Sequence, residues 1–401
     1  MTPRAVVTAA GVISALGAGL ERFSCALYDG RSAAAPSTRL PDLNAAEIAE
    51  FDPREWLGNK GIRVLDRGAS LLAIASRMAL CASGLTQDLA DAGDPQLGLV
   101  CGTVFGSVHS IVSFDWSGLT DGPNYVNPME FPNTVISSPA GHAAIKHKLR
   151  GVNTTVCAGL ASGLHAIHYA AEFLRFGRAR ALLAGGFEEL CEEAVLGFRK
   201  SEPISESCRP RPFDPERDGP VPGEGAGLWV LETEDSARQR GRVPWLEVCG
   251  FGCVQSAYSS QEFDVHGYGA AEAIQQALIH SGIGPEQIGC VICSASGSRS
   301  GDEMEAIALE RVFGPRLADV PLCAPKAAFG EAMGASGAFC AITAGIALQR
   351  KMVPPTAGYL VQESALRLSN KAVPFSGRYA LVNACGCDGN NASLVIRLWK
   401  N

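Results

Sequence analysis

At 401 residues, the chain is long enough for one large domain or for two fused halves with a core each. Hydrophobic residues make up 47% and charged residues 19%, which excludes a disordered chain. A net charge of −7 without a basic stripe argues against a nucleic-acid partner.

The chain enters a strand-like run at once, Ala5-Val6-Val7-Thr8, with no charged-then-apolar leader before it. A secretory signal is therefore not expected, and the protein reads as cytoplasmic. Residues 67–85 read as a helix; their most apolar part, 71–85, is broken by Arg77 and is too short to span a bilayer, so no membrane association is expected. A strand at 97–102, a helix at 159–176 and a strand at 181–185 follow. The stretch 201–225, rich in Pro, Gly and charge, reads as an ordered surface loop. The alternation then restarts, with a strand at 245–254, a helix at 270–280, a strand at 289–294 and helices at 302–313 and 331–350. Strands at 379–384 and 392–398 close the chain. This pattern predicts a layered α/β architecture with largely buried sheets. A weak internal echo joins the halves: Ala161-Ser162-Gly163 and Ala335-Ser336-Gly337 each open a small-residue helix, by duplication or by chance.

The 14 cysteines are scattered through apolar segments, as small core residues are in a reducing compartment. Cys290 and Cys293 have CxxC spacing but lie in an apolar run, where a strand sends side chains three apart to opposite faces. That argues against a metal or redox pair. Neither a metal nor a cofactor is expected.

The segment Asn153-Thr154-Thr155-Val156-Cys157-Ala158-Gly159 carries a short strand into a cysteine and then into residues small enough for a tight turn. A thiol at a helix N-terminus would be favoured as a thiolate by unpaired backbone N–H groups. Taken alone, Cys157 reads either as a packing residue or as a nucleophile.

Arg211-Pro212-Phe213-Asp214-Pro215-Glu216-Arg217-Asp218-Gly219, followed by Gly223-Glu224-Gly225-Ala226-Gly227, resembles the RPFDxxRDGxxxGEGAG signature of β-ketoacyl synthases. Residues 10–17, Gly141-His142, Gly151, Cys157 and Leu183-Ala184-Gly185-Gly186 are similar to further stretches of that family. The resemblance implies a thiolase-like α-β-α-β-α five-layer fold of two duplicated halves, normally dimeric. Residues 1–245 would form the half around Cys157, and 246–401 the half with Ser296, Lys326, Glu331 and the closing loop. The signature loop is read as structural. The implied chemistry has the cysteine take an acyl chain from an acyl carrier protein. Two histidines then assist decarboxylation of malonyl-carrier protein and steady the enolate, supported by a lysine and a glutamate.

This chain departs from that pattern. None of its seven histidines lies beyond residue 280, where both family histidines belong. Where the first is expected the chain reads Ala295-Ser296-Gly297-Ser298, and where the second is expected it reads Lys326-Ala327-Ala328-Phe329-Gly330-Glu331. Asp302 and Glu305 keep the family's D-x-x-E. A neutral serine donates one hydrogen bond and supplies no positive charge. A glutamate would repel both the malonyl carboxylate and the enolate, and would raise the pKa of a nearby thiol. Losing one oxyanion donor costs about 2.7–4 kcal/mol, and two supports change here, so condensation by this chain alone is expected to be severely impaired. Alternatively, Lys326, Glu331 and Glu305 form a buried charge network that only stabilises the core. In the closing loop, Cys387 stands where the family has an aromatic gate and an oxyanion-hole amide, and Asp388 replaces a glycine.

The leading expectation is a chain-length-factor-like subunit in a type II polyketide or polyene system, paired with an active ketosynthase and served by an acyl carrier protein. A non-condensing acyltransferase or thioesterase using Cys157 with Glu331, a scaffold with a vestigial Cys157, and a weakly active 3-oxoacyl-carrier-protein synthase remain as alternatives. Retention of Cys157 keeps them open, because better-known chain-length factors carry glutamine there.

Overall fold

The computed structural model describes residues 3–49, 51–85, 92–259, 261–360 and 365–400. Along the path of the main sheet, five strands come from the first part of the chain: β1 (Ala5–Ser14), β2 (Leu97–Gly102), β3 (Asn153–Val156), β4 (Ala181–Glu188) and β5 (Gly225–Thr233). Five come from the remainder: β6 (Leu246–Gln255), β7 (Ile288–Ile292), β8 (Leu322–Cys323), β9 (Tyr379–Cys385) and β10 (Asn390–Leu398). The order is β3-β2-β4-β5-β1 in the first set and β8-β7-β9-β10-β6 in the second. Numbered within its own set, each reads 3-2-4-5-1. The pairing senses also match, parallel along the first three strands and antiparallel along the last three. The sets join through a short antiparallel contact, Val6 with Glu247 and Val7 with Leu246.

Between the two sets lie α5 (Ser162–Arg175) and α10 (Ser336–Arg350), the two helices of the sequence echo. Every residue of α10 from Ser336 to Leu348 is buried, which requires a helix of small and apolar side chains all round. The helices approach closely: a Cβ on Gly163 would lie 2.8 Å from the Gly334 carbonyl oxygen and 2.9 Å from the Ala338 nitrogen. The outer layers are α2 (Arg67–Ser83), against β1 and β5, and α7 (Tyr268–Ser281), against β6 and β10. Asp66 caps α2 by accepting from the Ala69 N–H at 2.8 Å, and Gly84 ends it in the left-handed region at φ 75°. The result is the five-layer α/β fold. Cys290 belongs to the central core and Cys293 to the outer core of the second set, so the CxxC pair does face opposite ways.

Three expectations change. Residues 201–225 are not wholly a surface loop: Ser205, Val221 and Glu224 are buried, while Glu206, Arg209 and Glu216 are exposed. The helix expected at 331–350 starts at Ser336; Glu331 sits in the turn before it, after the short helix α9 (Lys326–Phe329). The helix expected at 159–176 starts at Ser162, because Gly159 turns the chain at φ 54°. Among the described residues no helix is long and apolar enough to cross a membrane.

Candidate functional site

Cys157 follows β3 and is solvent-exposed in the single chain. The turn after it is held by Ser162, whose hydroxyl accepts from the Ala158 N–H at 2.8 Å and bonds the Gly159 carbonyl at 2.6 Å. Because α5 begins only at Ser162, Cys157 lies outside its first turn, and the expected help from the helix end is not built here. Its thiol is instead pushed upward, first by burial and then by the charge of Glu188. The expected rise is present, but its charged neighbour is not Glu331.

Glu188 closes β4 and was not singled out from sequence. It is fully buried, and its carboxylate accepts from the Thr103 hydroxyl at 2.9 Å and from the N–H groups of Val104 (2.6 Å), Phe105 (3.1 Å), Gly106 (3.2 Å) and Gly334 (3.1 Å). Burial nevertheless pushes its pKa to about 7. It ties the loop after β2 to the turn before α10, and so links the two strand sets beside Cys157.

The residues predicted in the second half do converge. Lys326 Nζ lies 2.6 Å from Glu331 Oε2 and 3.4 Å from the Ser294 hydroxyl, with both charged side chains at 3% exposure or less. The other Glu331 oxygen accepts from the Met333 N–H at 3.0 Å and the Ser336 hydroxyl at 2.7 Å. Both oxygens are therefore engaged, which is the geometry of a buried ion pair rather than of a free general base. Burial works against the Lys326 charge, but its neighbours, Glu331 first and Cys340 and Glu305 with it, together more than offset that and raise the lysine's pKa. Glu305 holds the loop after β7, accepting from the N–H groups of Ser294 (2.9 Å) and Ala295 (2.8 Å) and from Asn383 (3.0 Å). Asp302, on α8 (Arg299–Phe313), accepts from the N–H groups of Ser296 at 3.0 Å and Phe213 at 2.8 Å. The signature loop thus buttresses the Ser296 loop, a structural role as expected.

Ser296, Lys326 and Glu331 line one cavity together with Leu160, Ser294, Cys385 and Glu202. The space left is only about 10 Å³, on the order of one water molecule. On the other side of Leu160 is a cavity of about 190 Å³, lined by Phe105, Gly159, Phe198, Met333, Cys387 and Asp388. Cys387 lies beside the turn that follows Cys157. Its thiol is pushed to about 11 by burial and by the nearby acids Glu202 and Asp388. The Asp388 carboxylate abuts Gly159, where any Cβ would collide with it, and accepts from the Asn390 side chain at 2.7 Å. Among the described residues no histidine lines either cavity.

Residues 2–237 match the family Beta-ketoacyl synthase, N-terminal domain, and residues 246–360 match Beta-ketoacyl synthase, C-terminal domain. A 3-oxoacyl-[acyl-carrier-protein] synthase 2 from Rhizobium meliloti is 31% identical, over 98% of this chain and 98% of its own. The ishigamide ketosynthase/chain length factor has a TM-score of 0.92 at 30% identity, covering 100% of both chains. A ketosynthase in complex with its chain length factor from Xenorhabdus doucetiae has a TM-score of 0.81, covering 99% of this chain and 98% of that one. At 22% identity its likeness is one of fold alone.

Proposed function

The chain belongs to the β-ketoacyl synthase family, and from that premise we propose that it serves as a chain-length-factor-type subunit beside an active ketosynthase. The observation that carries this reading concerns the two residues read as replacing the family's histidines: Ser296 and an ion-paired Glu331 share a cavity with room for about one water. Such a site offers no free cation to a malonyl carboxylate and no positive charge to an enolate. The partner then supplies decarboxylation and carbon–carbon bond formation on carrier-bound thioesters, and this subunit shapes the wall along which the product grows. A similar structure described as a ketosynthase/chain length factor supports the assignment.

The surface supports a partner. Helix α3 (Val108–Thr120) has no buried residue, and Trp116 and Leu119 are 65% and 81% exposed. Nearby, Tyr125, Met129 and Phe131 are also exposed. Strand β3 ends the sheet with an open edge. An apolar helix and an unpaired strand edge on one chain call for cover by a second chain.

The reading is tested by co-expression with a histidine-containing ketosynthase. A stable heterodimer is expected, and Cys157→Ala in this chain is expected to leave the product of the reconstituted pair unchanged. A catalytically competent homodimer making β-ketoacyl product would overturn it. Acylation of Cys157 followed by turnover without a malonyl donor would favour acyl transfer instead.

A further inference from the structure

Glu202 lines the cavity of Ser296, Lys326 and Glu331, and nothing above assigns it a role. It follows α6 (Glu192–Ser201) as the C-cap residue, in extended backbone, with its N–H on the Phe198 carbonyl at 3.0 Å. Only 6% of the residue is exposed, yet its Oε1 has no hydrogen-bond partner. The neighbouring acids differ: Glu331 is engaged at both oxygens, and Asp302 accepts backbone N–H groups. A buried carboxyl with an unpartnered oxygen is costly as an anion. Burial, and then the charges of Glu331 and Asp302, push its pKa to about 8, so it is mainly a neutral acid at pH 7.

The side chain of Glu202 ends in a methylene and a carboxyl group, the same fragment that a malonyl headgroup presents. We propose that Glu202 is a built-in occupant of the headgroup site, closing it by bulk to a malonyl-type carboxylate while Glu331 closes it by charge. This rests on the reading of a subunit that leaves the extender unit to its partner, and it names the residue that enforces that division. Lys326, the cation lining the cavity, is already paired with Glu331 at 2.6 Å, so an arriving carboxylate would meet no free positive charge there.

Glu202→Ala removes a unit the size of acetic acid, so acetamide and acetate serve as neutral and charged probes of the vacated space. Ligand-observed NMR on the purified full chain at pH 7 is expected to show no binding of either probe to the parent or to Glu202→Gln, which keeps the bulk. Glu202→Ala is expected to bind acetamide, and to bind acetate at least tenfold more weakly. Adding Ser296→Leu is expected to abolish that gain. The proposal is overturned if the parent binds acetamide at this site, if Glu202→Gln behaves like Glu202→Ala, or if folded Glu202→Ala binds neither probe. Thermal unfolding checks folding, and Glu202→Ser stands in should the alanine variant fail to fold. No partner or carrier protein enters this measurement, so a failed heterodimer would remove the functional reading without touching the binding result, and the reverse.

Discussion

Replacing Glu331 with glutamine would leave the Lys326 ammonium, whose side chain is 3% exposed, without its partner at 2.6 Å. Breaking a buried pair by removing one member costs about 3–5 kcal/mol, because the remaining charge stays desolvated and unpaired. Glutamine can still accept from the Met333 N–H and the Ser336 hydroxyl, which bond the other oxygen, so the cost belongs near the lower end, about 3 kcal/mol. Lys326→Met should cost a comparable amount by stranding the carboxylate. The double variant Lys326→Met/Glu331→Gln leaves no orphan charge and should cost less than the sum of the singles, with a coupling of at least about 2 kcal/mol. The pH dependence has a definite sign. Lys326 is raised in the folded state, so the pair's contribution is fully present below the ordinary lysine value, about 10.4, and is lost as pH rises through the higher folded value. In Glu331→Gln burial acts on Lys326 without that partner and Glu202 loses a charge that raises it, so the gap between parent and variant should narrow as pH rises from 6 to 9. Urea unfolding followed by circular dichroism, at fixed protein concentration, measures all three variants. Single costs below about 1 kcal/mol with an additive double would refute the view of a buried, mutually dependent pair.

Other consequences are as direct. Glu202 is raised from an ordinary carboxyl value to about 8, so its protonation favours folding below about pH 4.5 and that contribution is lost as pH rises through 8. Stability should fall between pH 6 and pH 9 by about 2.7 kcal/mol at most, most of it below pH 8, and Glu202→Gln should flatten that slope in pH-dependent unfolding. Cys157 should be alkylated slowly at pH 7, with a rate that climbs with pH, and Glu188→Gln should speed it at neutral pH; peptide-resolved mass spectrometry after iodoacetamide treatment reads both. Gly163→Ala should cost about 1–3 kcal/mol by forcing a Cβ against the Gly334 carbonyl, and Gly334→Ala should cost more, since its Cβ would collide with the Thr103 backbone. Unfolding midpoints that do not move would show that the central helices can part more easily than their packing implies.

The strands and helices of the duplicated scaffold were legible where burial imposes a strong pattern. β2 matches its expected bounds, and the Ser162 and Ser336 helices are the sequence echo. Helix α3 was missed because it buries no residue fully and leaves Val112, Trp116 and Leu119 exposed, so its apolar residues mark no strong core-facing stripe. The convergence of Lys326 and Glu331 was legible because five residues across one short helix bring them together. Glu188 and Glu202 were not: each depends on loops from elsewhere in the chain meeting it, and contacts such as Glu188 with Gly334, 146 residues apart, leave no local trace. An acidic residue ending an apolar strand, as Glu188 does, is the one signal that could have prompted attention. The helix-end effect expected at Cys157 failed through four residues of turn, a distance that propensity does not fix.

A site without a free cation or an imidazole is expected no longer to assist decarboxylation. Release of carbon dioxide from malonyl-carrier protein, measured on the purified chain without a ketosynthase, tests it most directly. The rate should match that of malonyl-carrier protein alone and should not change in Cys157→Ala. Release at the pace of a histidine-containing ketosynthase assayed alongside would contradict the account.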